Sequence, residues 1–438
     1  MTVKTMSRLI RRQFFSAVAK PAAAAVLIQP AIIGKVLAAV KNTTGRPEDI
    51  ARDESFWFEI QQAYTADRSM INLNNGGVSP APAIVQEAMK RHLDYSNTSP
   101  AYSMWRILEP QREPIRQRLA RFFQCDTEEV AFTRNASEGL QILQNGFDLG
   151  SGDEVLTTTQ DYPRMINTFK QRECREGITI RQFPIPIPAE NDDEIVELFE
   201  KNITPKTKLI LMCHMINITG QILPVKKVVR LARRKNIPLL VDGAHTFAHF
   251  DFTLKDLECD YYATSLHKWL CAPHGTGMLY VNRDKVADLW PLQAPVECNM
   301  DDIRKFEEIG THPAANYLAI GDALTFHQGI GSKRKEVRLI YLRDRWAKRL
   351  ESHGDRIRLH TSLQPGKACG IATVQIEGID SSTLAGYLWK KYRIFVVGIK
   401  HPEFEGIRVT PHVYTTLEEI DRFSDAMEDI LRNGIPES

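Results

Sequence analysis

The sequence has few cysteines, and none lies in a pattern typical of a metal site or a disulfide framework. Its seven cysteines include no C-x-x-C pair, and their number is odd. It also has no H-E-x-x-H motif and no paired-carboxylate spacing. Metal-dependent hydrolysis is therefore only a minor alternative, for which four histidines would have to cluster: His214, His245, His249 and His267.

The chain also lacks a strong excess of charge of one sign. Its formal net charge is +2 over 438 residues, which gives no bulk-charge reason to expect a nucleic-acid partner. Hydrophobic residues make up 43% and charged residues 25%, which is ordinary for a globular protein. This length can supply the core of one large domain and a smaller one.

No uninterrupted apolar run is long enough to span a membrane, although the first forty residues come close. This segment begins with basic residues and continues as an Ala/Val/Ile/Leu-rich run. Two prolines and two lysines interrupt that run: Lys20, Pro21, Pro30 and Lys35. The adjacent Arg11 and Arg12 resemble a twin-arginine signal, which exports folded, cofactor-loaded proteins through dedicated machinery. We therefore expect residues 1–40 to be an export signal that sends the protein to a bacterial periplasm; the alternative is a membrane-anchoring or amphipathic helix.

Short apolar runs and longer stretches of helical spacing alternate from residue 72 to about 300. Buried strands interleaved with helices predict a mostly parallel sheet covered on both faces. Beyond that point the pattern changes to a smaller α+β unit. The sequence thus predicts an N-terminal segment (41–72), a large domain (73–305) and a small C-terminal domain (306–438).

Three features of the large domain together suggest one cofactor. Asn135, Ala136 and Ser137 open a helix directly after a predicted strand, a place that favours a phosphate group, although Asn135 alone would more often be a helix cap. Asp242 ends another strand, and Lys268 follows in the segment "SLHKWL". A lysine, an acid and a phosphate site are what pyridoxal 5′-phosphate (PLP) requires.

The segment "SLHKWL" after "VDGAH" resembles the class V aminotransferase family, which includes cysteine desulfurases and isopenicillin N epimerase. The likeness covers about residues 72–432. It implies the PLP-dependent transferase fold type I, with a mostly parallel seven-stranded sheet in the large domain and a smaller α+β C-terminal domain. Lys268 would form the Schiff base with PLP, and Asp242 would hold the pyridine nitrogen.

The same resemblance implies further cofactor contacts. His245 and Asn217 would lie near the ring oxygen, and Tyr162 would stack on the ring. Thr311 would reach the phosphate from a partner subunit, which implies a homodimer. The remaining residues would hold the phosphate: Asn135, Ala136, Ser137, Ser265 and His267.

The substrate contacts implied by the resemblance are fewer. Arg408 would grip the carboxylate of an amino acid, for which a guanidinium fork is suited. Asn75, together with Asn74, would line the substrate entrance. No metal ion is expected at this site.

Several reactions stay open at this point. An amino acid, or an amino-terminal residue with a free amine, would undergo transamination, epimerisation or β-elimination, with aminotransferase activity preferred. A persulfide-forming desulfurase is disfavoured because residues 392–411 contain no cysteine and Cys369 lies upstream. A non-catalytic exported binding protein is the alternative of another class, against which Lys268 and Asp242 argue.

Overall fold

The computed structural model of the protein describes residues 45–295 and 299–436. The export signal expected at residues 1–40, including Arg11 and Arg12, lies outside this part of the chain. Within it, none of the helices has the length and apolar character needed to cross a membrane.

The strands fall into three sheets. In chain order they are β1 (Ile71–Asn72), β2 (Val130–Thr133), β3 (Glu154–Thr158), β4 (Thr179–Phe183), β5 (Thr207–Cys213), β6 (Leu239–Asp242), β7 (Tyr261–Ser265), β8 (Gly277–Val281), β9 (Ile357–Leu359), β10 (Ala372–Ile376), β11 (Ile394–Phe395), β12 (Val397–His401) and β13 (Phe404–Val409).

The α-helices cover these sheets. They are α1 (Pro47–Ile50), α2 (Glu54–Gln62), α3 (Ala83–Thr98), α4 (Pro100–Tyr102), α5 (Arg112–Phe123), α6 (Ala136–Gly146), α7 (Pro163–Glu176), α8 (Asp192–Asn202), α9 (Val225–Arg234), α10 (Leu254–Leu257), α11 (Ala314–Leu318), α12 (Ile320–Ile330), α13 (Ser332–Glu351), α14 (Ser381–Tyr392) and α15 (Leu417–Asn433). A π-helical segment, Ser103–Leu108, follows α4.

The largest sheet has seven strands in the order β2–β8–β7–β6–β5–β3–β4. Neighbouring strands from β7 to β4 pair in parallel, and β8 runs antiparallel to both β7 and β2. Six of its strands are almost wholly buried because helices cover both sides, whereas the edge strand β4 is largely exposed. Along β7, Tyr262 joins one hydrophobic core, whereas Tyr261 and Ala263 join the core on the opposite face. The predicted mostly parallel α/β fold is confirmed.

The four-stranded sheet is antiparallel, in the order β12–β13–β10–β9. Its core receives side chains from three helices, including Trp346 of α13, Leu388 of α14 and Phe423 of α15. This is the smaller α+β unit that the sequence indicated near the C-terminus. The short parallel pair of β1 and β11 joins the N-terminal segment to this unit.

The predicted domain boundaries stay a prediction. Two segments pack in the core of the sheet that belongs to the other predicted domain. Helices α11 and α12, which follow residue 305, bury Tyr317, Ile320 and Leu324 in a core of the large sheet. Ile71 and Leu73 pack instead in the core of the small sheet. The described chain therefore crosses between the two cores more than once.

Strand β8 packs closely against the start of α6. A Cβ atom added to Gly277 would lie 2.7 Å from Asn135 Cα and 2.6 Å from Thr133 Oγ1. Only glycine leaves room for this approach, since any larger residue would push the helix start away from the sheet. The position of that helix start matters for the site described next.

Candidate active site

The carboxyl ends of β5, β6 and β7 meet at one edge of the large sheet. Cys213, Asp242 and Ala263 lie side by side there in the strand register. Ligands of open α/β sheets bind at this edge. Two adjoining cavities of about 170 and 280 Å³ open there, and Lys268, Asp242 and Tyr162 line both of them.

Lys268 lies three residues beyond β7 and is half-buried. Its Nζ atom lies 3.0 Å from His245 Nε2. Burial lowers the pKa of Lys268 to about 8, and the nearby charge of Arg408 acts in the same direction, whereas Asp242 opposes it. About a tenth of this amine is therefore neutral at pH 7, far more than for an ordinary lysine, and able to act as a nucleophile.

Asp242 ends β6 and is 4% exposed. Its Oδ1 atom accepts a hydrogen bond from the backbone N–H of Ala244 at 2.9 Å. Burial raises the pKa of Asp242 to about 6, against the opposing effects of that hydrogen bond and of Lys268. A carboxyl group in this environment gains from a cationic hydrogen-bond donor.

The larger cavity lies at the start of α6. Asn135 caps this helix, since its Oδ1 atom accepts the N–H of Glu138 at 2.9 Å. The N–H of Ala136 donates to Ser265 Oγ at 3.0 Å and so ties the helix start to the end of β7. Ser137 and His267 complete this wall. Backbone N–H groups and hydroxyls at a helix start favour an anion such as phosphate.

His267 is oriented by the backbone. Its Nδ1 atom lies 3.1 Å from the carbonyl of Thr276, so Nδ1 carries the proton and donates. Burial lowers the pKa of His267 to about 4, and the imidazole is neutral at physiological pH while no anion is near. A bound phosphate would raise this pKa and draw a proton to the ring.

The smaller cavity contains polar atoms that lack partners. Asn217 Oδ1, His245 Nδ1 and Arg408 Nε are buried and, among the residues described here, accept or donate no hydrogen bond. All three side chains line the cavity. Unpaired buried polar atoms cost roughly 1–3 kcal/mol each, so their convergence indicates a polar ligand.

Arg408 on β13 supplies the positive charge of the smaller cavity. It is 7% exposed, and its Nη1 and Nη2 atoms donate to the Asn217 carbonyl at 3.0 Å and to Asn74 Oδ1 at 2.9 Å. No carboxylate in the described part of the chain forms an ion pair with it. Burial lowers the pKa of Arg408 to about 10. This guanidinium is therefore prepared to bind an anion from outside the protein.

Two predicted residues do not reach the cavities. Asn75 is fully buried, and its amide is used internally: Nδ2 donates to the Thr410 carbonyl at 2.9 Å, and Oδ1 accepts from the Tyr414 hydroxyl at 2.6 Å. It fixes its own segment, and its neighbour Asn74 contacts Arg408 instead. Thr311 is exposed and lines neither cavity, so its expected contribution to a partner subunit stays a prediction.

Other residues of the cavity walls gave no clear signal in the sequence. These are Gly76, Gly77, Leu140, Arg164, Cys213, Met215 and Ala244. Asp161 was also missed. Its two oxygens accept the N–H of Cys213 and that of Thr158, both at 2.8 Å, and so lock the ends of β3 and β5 directly before Tyr162. An acid three residues after a strand and directly before Tyr162 was the available clue.

The histidines considered for a metal site have other surroundings. Within residues 45–295 and 299–436, no group of three or more His, Cys, Asp or Glu side chains is placed to hold a metal ion. His214 packs edge-on against Phe252, and His249 stacks on Trp269 with ring centroids 3.5 Å apart.

The cavities fit PLP group by group. The start of α6 with Ser265 and His267 would hold the phosphate, Asp242 would hold the protonated ring nitrogen, and Lys268 would bind the aldehyde carbon. His245 Nδ1 has no partner and would donate to the ring oxygen, and Asn217 lies in the same cavity wall. A mostly parallel sheet that brings a lysine, a carboxylate and a helix start suited to phosphate together at its carboxyl edge is the arrangement of fold-type-I PLP enzymes.

The chain belongs to the aminotransferase class-V family, whose family model matches residues 71–423. Enzymes of this family depend on PLP, as the cavity indicates. Isopenicillin N epimerase of Amycolatopsis lactamdurans is 29% identical over 393 residues, covering 85% of this chain and 98% of that protein. A probable cysteine desulfurase of Halalkalibacterium halodurans is 26% identical over 389 residues, covering 82% and 92%.

Among solved structures, a lysine-to-alanine mutant of C-DES with glycine covalently linked to its PLP cofactor has the same fold. Its TM-score is 0.75 at 24% identity, with 84% of this chain and 99% of that chain covered. The expected resemblance, fold type and cofactor are thus confirmed, and the protein is a PLP-dependent enzyme of this family.

The raised pKa of Asp242 predicts how the cofactor-free protein responds to pH. Because the folded-state pKa of about 6 lies above the ordinary 3.8, the protonated carboxyl contributes stability at low pH that is lost as pH rises through 6. Asp242→Asn removes this loss. We expect the cofactor-free variant to be more stable than wild type by about 3 kcal/mol at pH 8 and by about half that at pH 5.

Urea unfolding of both cofactor-free proteins at the two pH values measures this difference. Asp94→Asn, at an exposed carboxylate of α3 outside the cavities, serves as the control. A stability difference between Asp242→Asn and wild type that does not change with pH would contradict the assignment.

Proposed function

We propose that the protein binds the carboxylate of an amino acid, or of an amino-terminal residue with a free amine, and transfers its amino group. One observation carries this proposal: the buried guanidinium of Arg408 has no carboxylate partner in the described chain and lies in the same cavity as Lys268. When bound, PLP supplies the electron sink that makes the α-proton acidic.

Lys268 would remove the α-proton. Its pKa of about 8 suits a general base near neutral pH. The Nζ atom donates toward His245 Nε2 at 3.0 Å. Burial holds the pKa of His245 well below its ordinary value, so the imidazole stays neutral and accepts this hydrogen bond. His245 therefore orients the amine without competing for its proton.

Tyr162 would form the wall opposite the lysine. It stands at the N-terminus of α7 and lines both cavities, a position from which its ring can cover a planar cofactor and exclude water. Asp161, the residue before Tyr162, is bound by its carboxylate to the ends of β3 and β5. With the ring of Tyr162 over the cofactor, the proton taken by Lys268 would be shielded from bulk solvent.

Inversion at the α-carbon is the second candidate. Two relatives, of Amycolatopsis lactamdurans and Streptomyces clavuligerus, are isopenicillin N epimerases and match 85% of this chain at 29% and 27% identity. Inversion requires a proton donor on the face away from Lys268, and we propose the hydroxyl of Tyr162, which lines both cavities, for this role. β-Elimination ranks third.

A persulfide-forming desulfurase is disfavoured by the described cysteines. Only Cys213 among them lines a cavity, and burial raises its thiol pKa well above the ordinary value. Cys369 is buried away from the cavities, and burial raises its pKa as well. Neither is a thiolate ready to take up sulfur.

The test uses purified holoenzyme with a panel of L- and D-amino acids and small peptides that have a free amino terminus. Cofactor absorbance, keto-acid formation and exchange of the α-proton into deuterated water are followed. Keto acid with amino transfer to the cofactor supports transamination, whereas exchange with racemisation supports the epimerase. If no compound perturbs the cofactor, the proposed function is wrong.

We also propose that the protein is exported to the periplasm in folded, cofactor-loaded form. The adjacent Arg11 and Arg12 and the apolar segment that follows support this. Replacing both, Arg11→Lys with Arg12→Lys, should leave the protein inside the cell. Fractionation of cells that express each form measures this, and unchanged export would refute the signal assignment.

A homodimer is part of the same proposal. Thr311 is exposed and outside the cavities of its own chain, as a residue that serves a neighbouring subunit would be. Sedimentation equilibrium of the holoenzyme should give twice the chain mass, and Thr311→Ala should weaken PLP binding. A monomer that retains full PLP affinity would exclude this arrangement.

A further inference from the structure

The hairpin of β12 and β13 forms hydrogen bonds with the loop that leads into Tyr162. His401 and Glu403 lie at the hairpin tip, and Thr159 and Gln160 lie in the loop between β3 and α7. We call these four residues the hairpin clamp. It joins the small sheet to the large one beside the proposed active site.

Four hydrogen bonds form the hairpin clamp. The hydroxyl of Thr159 donates to Glu403 Oε1, and Gln160 Nε2 donates to Glu403 Oε2 at 3.0 Å. His401 Nε2 donates to the Thr159 carbonyl at 3.0 Å, and its Nδ1 atom accepts the N–H of Glu403 at 3.3 Å. Both carboxylate oxygens and both imidazole nitrogens are therefore used.

Each side of the clamp continues into a cavity wall. Arg408 follows Glu403 by five residues along β13, and Tyr162 follows Gln160 by two. Arg408 and Tyr162 both line the smaller cavity. None of the four clamp residues lines either cavity. The clamp therefore contacts no ligand there, but it connects the residue that would bind the carboxylate to the residue that would cover the ring.

The loop side of the clamp is itself anchored. Gln160 is 2% exposed, and its Nε2 atom donates to the Ile185 carbonyl at 3.0 Å as well as to Glu403. The next residue, Asp161, is fixed to the ends of β3 and β5 by its carboxylate. A movement of the hairpin tip is therefore transmitted to the start of α7, since the loop has little freedom to absorb it.

We propose that Glu403 and His401 are positioning residues that set the spacing between Arg408 and Tyr162, and with it the fit of the amino-acid substrate. This inference rests on the proposed function of the site. Loss of the clamp should let the two walls separate while the cofactor contacts of Lys268, Asp242 and α6 persist. Substrate binding should then weaken while the chemical step and cofactor binding change little.

The first test is Glu403→Gln, which keeps the side-chain shape but removes the charge and places an amide near the Gln160 donor. We expect the KM of the holoenzyme for its amino acid to rise about 10-fold, corresponding to one weakened charged hydrogen bond. We expect kcat, the Kd for PLP and the thermal midpoint to stay within about 2-fold or about 2 °C of wild type. Glu377→Gln, at an exposed glutamate next to β10 in the same sheet, is the matched control.

A second measurement does not depend on turnover. Amide hydrogen exchange in residues 159–166 of the cofactor-free protein should be faster in Glu403→Gln than in wild type or Glu377→Gln. Thr159→Val, which removes the hydroxyl that donates to Glu403 Oε1, should also raise KM. The rise in the double variant should be smaller than the product of the two single rises, because both changes weaken the contacts of the same carboxylate.

A KM for Glu403→Gln equal to that of the control overturns the inference. A parallel fall of kcat, PLP affinity and thermal midpoint also overturns it, because it would show a purely structural role. If wild type responds to no amino acid, the proposed function fails. The clamp is then judged by hydrogen exchange, and unchanged exchange in residues 159–166 rejects it.

Discussion

Lys268→Ala will abolish covalent attachment of PLP and lower turnover by at least about 10³-fold. The physical reason is that the substitution removes both the amine that binds the aldehyde and the base that takes the α-proton. No second amine can substitute within the described cavity walls, because Lys268 is the one lysine that lines them.

Borohydride reduction followed by mass spectrometry of the intact chain measures this. Wild type should gain the mass of the reduced cofactor, and the variant should not. Lys208→Ala, at an exposed lysine on β5, is the control and should retain both cofactor and activity. Cofactor trapped on the Lys268→Ala chain would place the attachment elsewhere and would overturn the site assignment.

The second large effect is expected at Arg408. Arg408→Gln should raise the KM for the amino acid by roughly 100-fold or more, since truncating one partner of a buried charged pair costs about 2–5 kcal/mol. Arg408→Lys should recover little of this, because an ammonium cannot reproduce the hydrogen bonds to Asn217 and Asn74 together with a two-pronged contact to a carboxylate.

Steady-state kinetics with an amino acid and with the matching amine, which lacks the carboxylate, isolate the interaction. The amine should react poorly with wild type and should lose nothing further in the variant. PLP affinity should stay close to wild type, because the cofactor contacts lie on other elements. An equal loss for the acid and the amine would show that Arg408 shapes the cavity without binding the carboxylate.

The sequence was informative about the edge of the large sheet because of a geometric rule. Parallel strands end at one edge, so polar residues that follow successive strands are brought together whatever their distance along the chain. Asp242 at the end of β6, Ser265 at the end of β7 with Lys268 beyond it, and the helix start after β2 all met at the cavities in this way. The apolar strand segments that alternate with helical ones likewise predicted a mostly parallel large sheet.

Residues whose roles depend on contact between the two sheets were harder to foresee. Arg408 was placed by family resemblance alone, and its partner Asn74 is 334 residues away in sequence. Asn75 was expected at the substrate entrance but forms hydrogen bonds with Thr410 and Tyr414 inside the protein. A one-residue change along an extended segment reverses the direction of a side chain, and no local pattern showed which asparagine faces inward.

The hairpin clamp illustrates the same difficulty. His401 and Glu403 lie in a sequence segment that is typical of a solvent-exposed turn. Thr159 and Gln160 lie in a second segment of this kind, which the structure brings into contact with the first. Nothing in either segment signals the other, because 243 residues separate Gln160 from Glu403. Only the packing of the small sheet beside the large one makes them neighbours.

The burial of Asp242 and Lys268 has a consequence for how tightly the protein binds its cofactor. Burial disfavours the charged form of each group: it raises the pKa of Asp242 to about 6 and lowers the pKa of Lys268 to about 8. A ligand that pairs with the carboxylate of Asp242 and binds the amine of Lys268 removes the cost of burying these two charges. That gain contributes to the free energy of cofactor binding. Relief of both unfavourable charges should therefore add to the affinity for PLP beyond what its direct contacts supply.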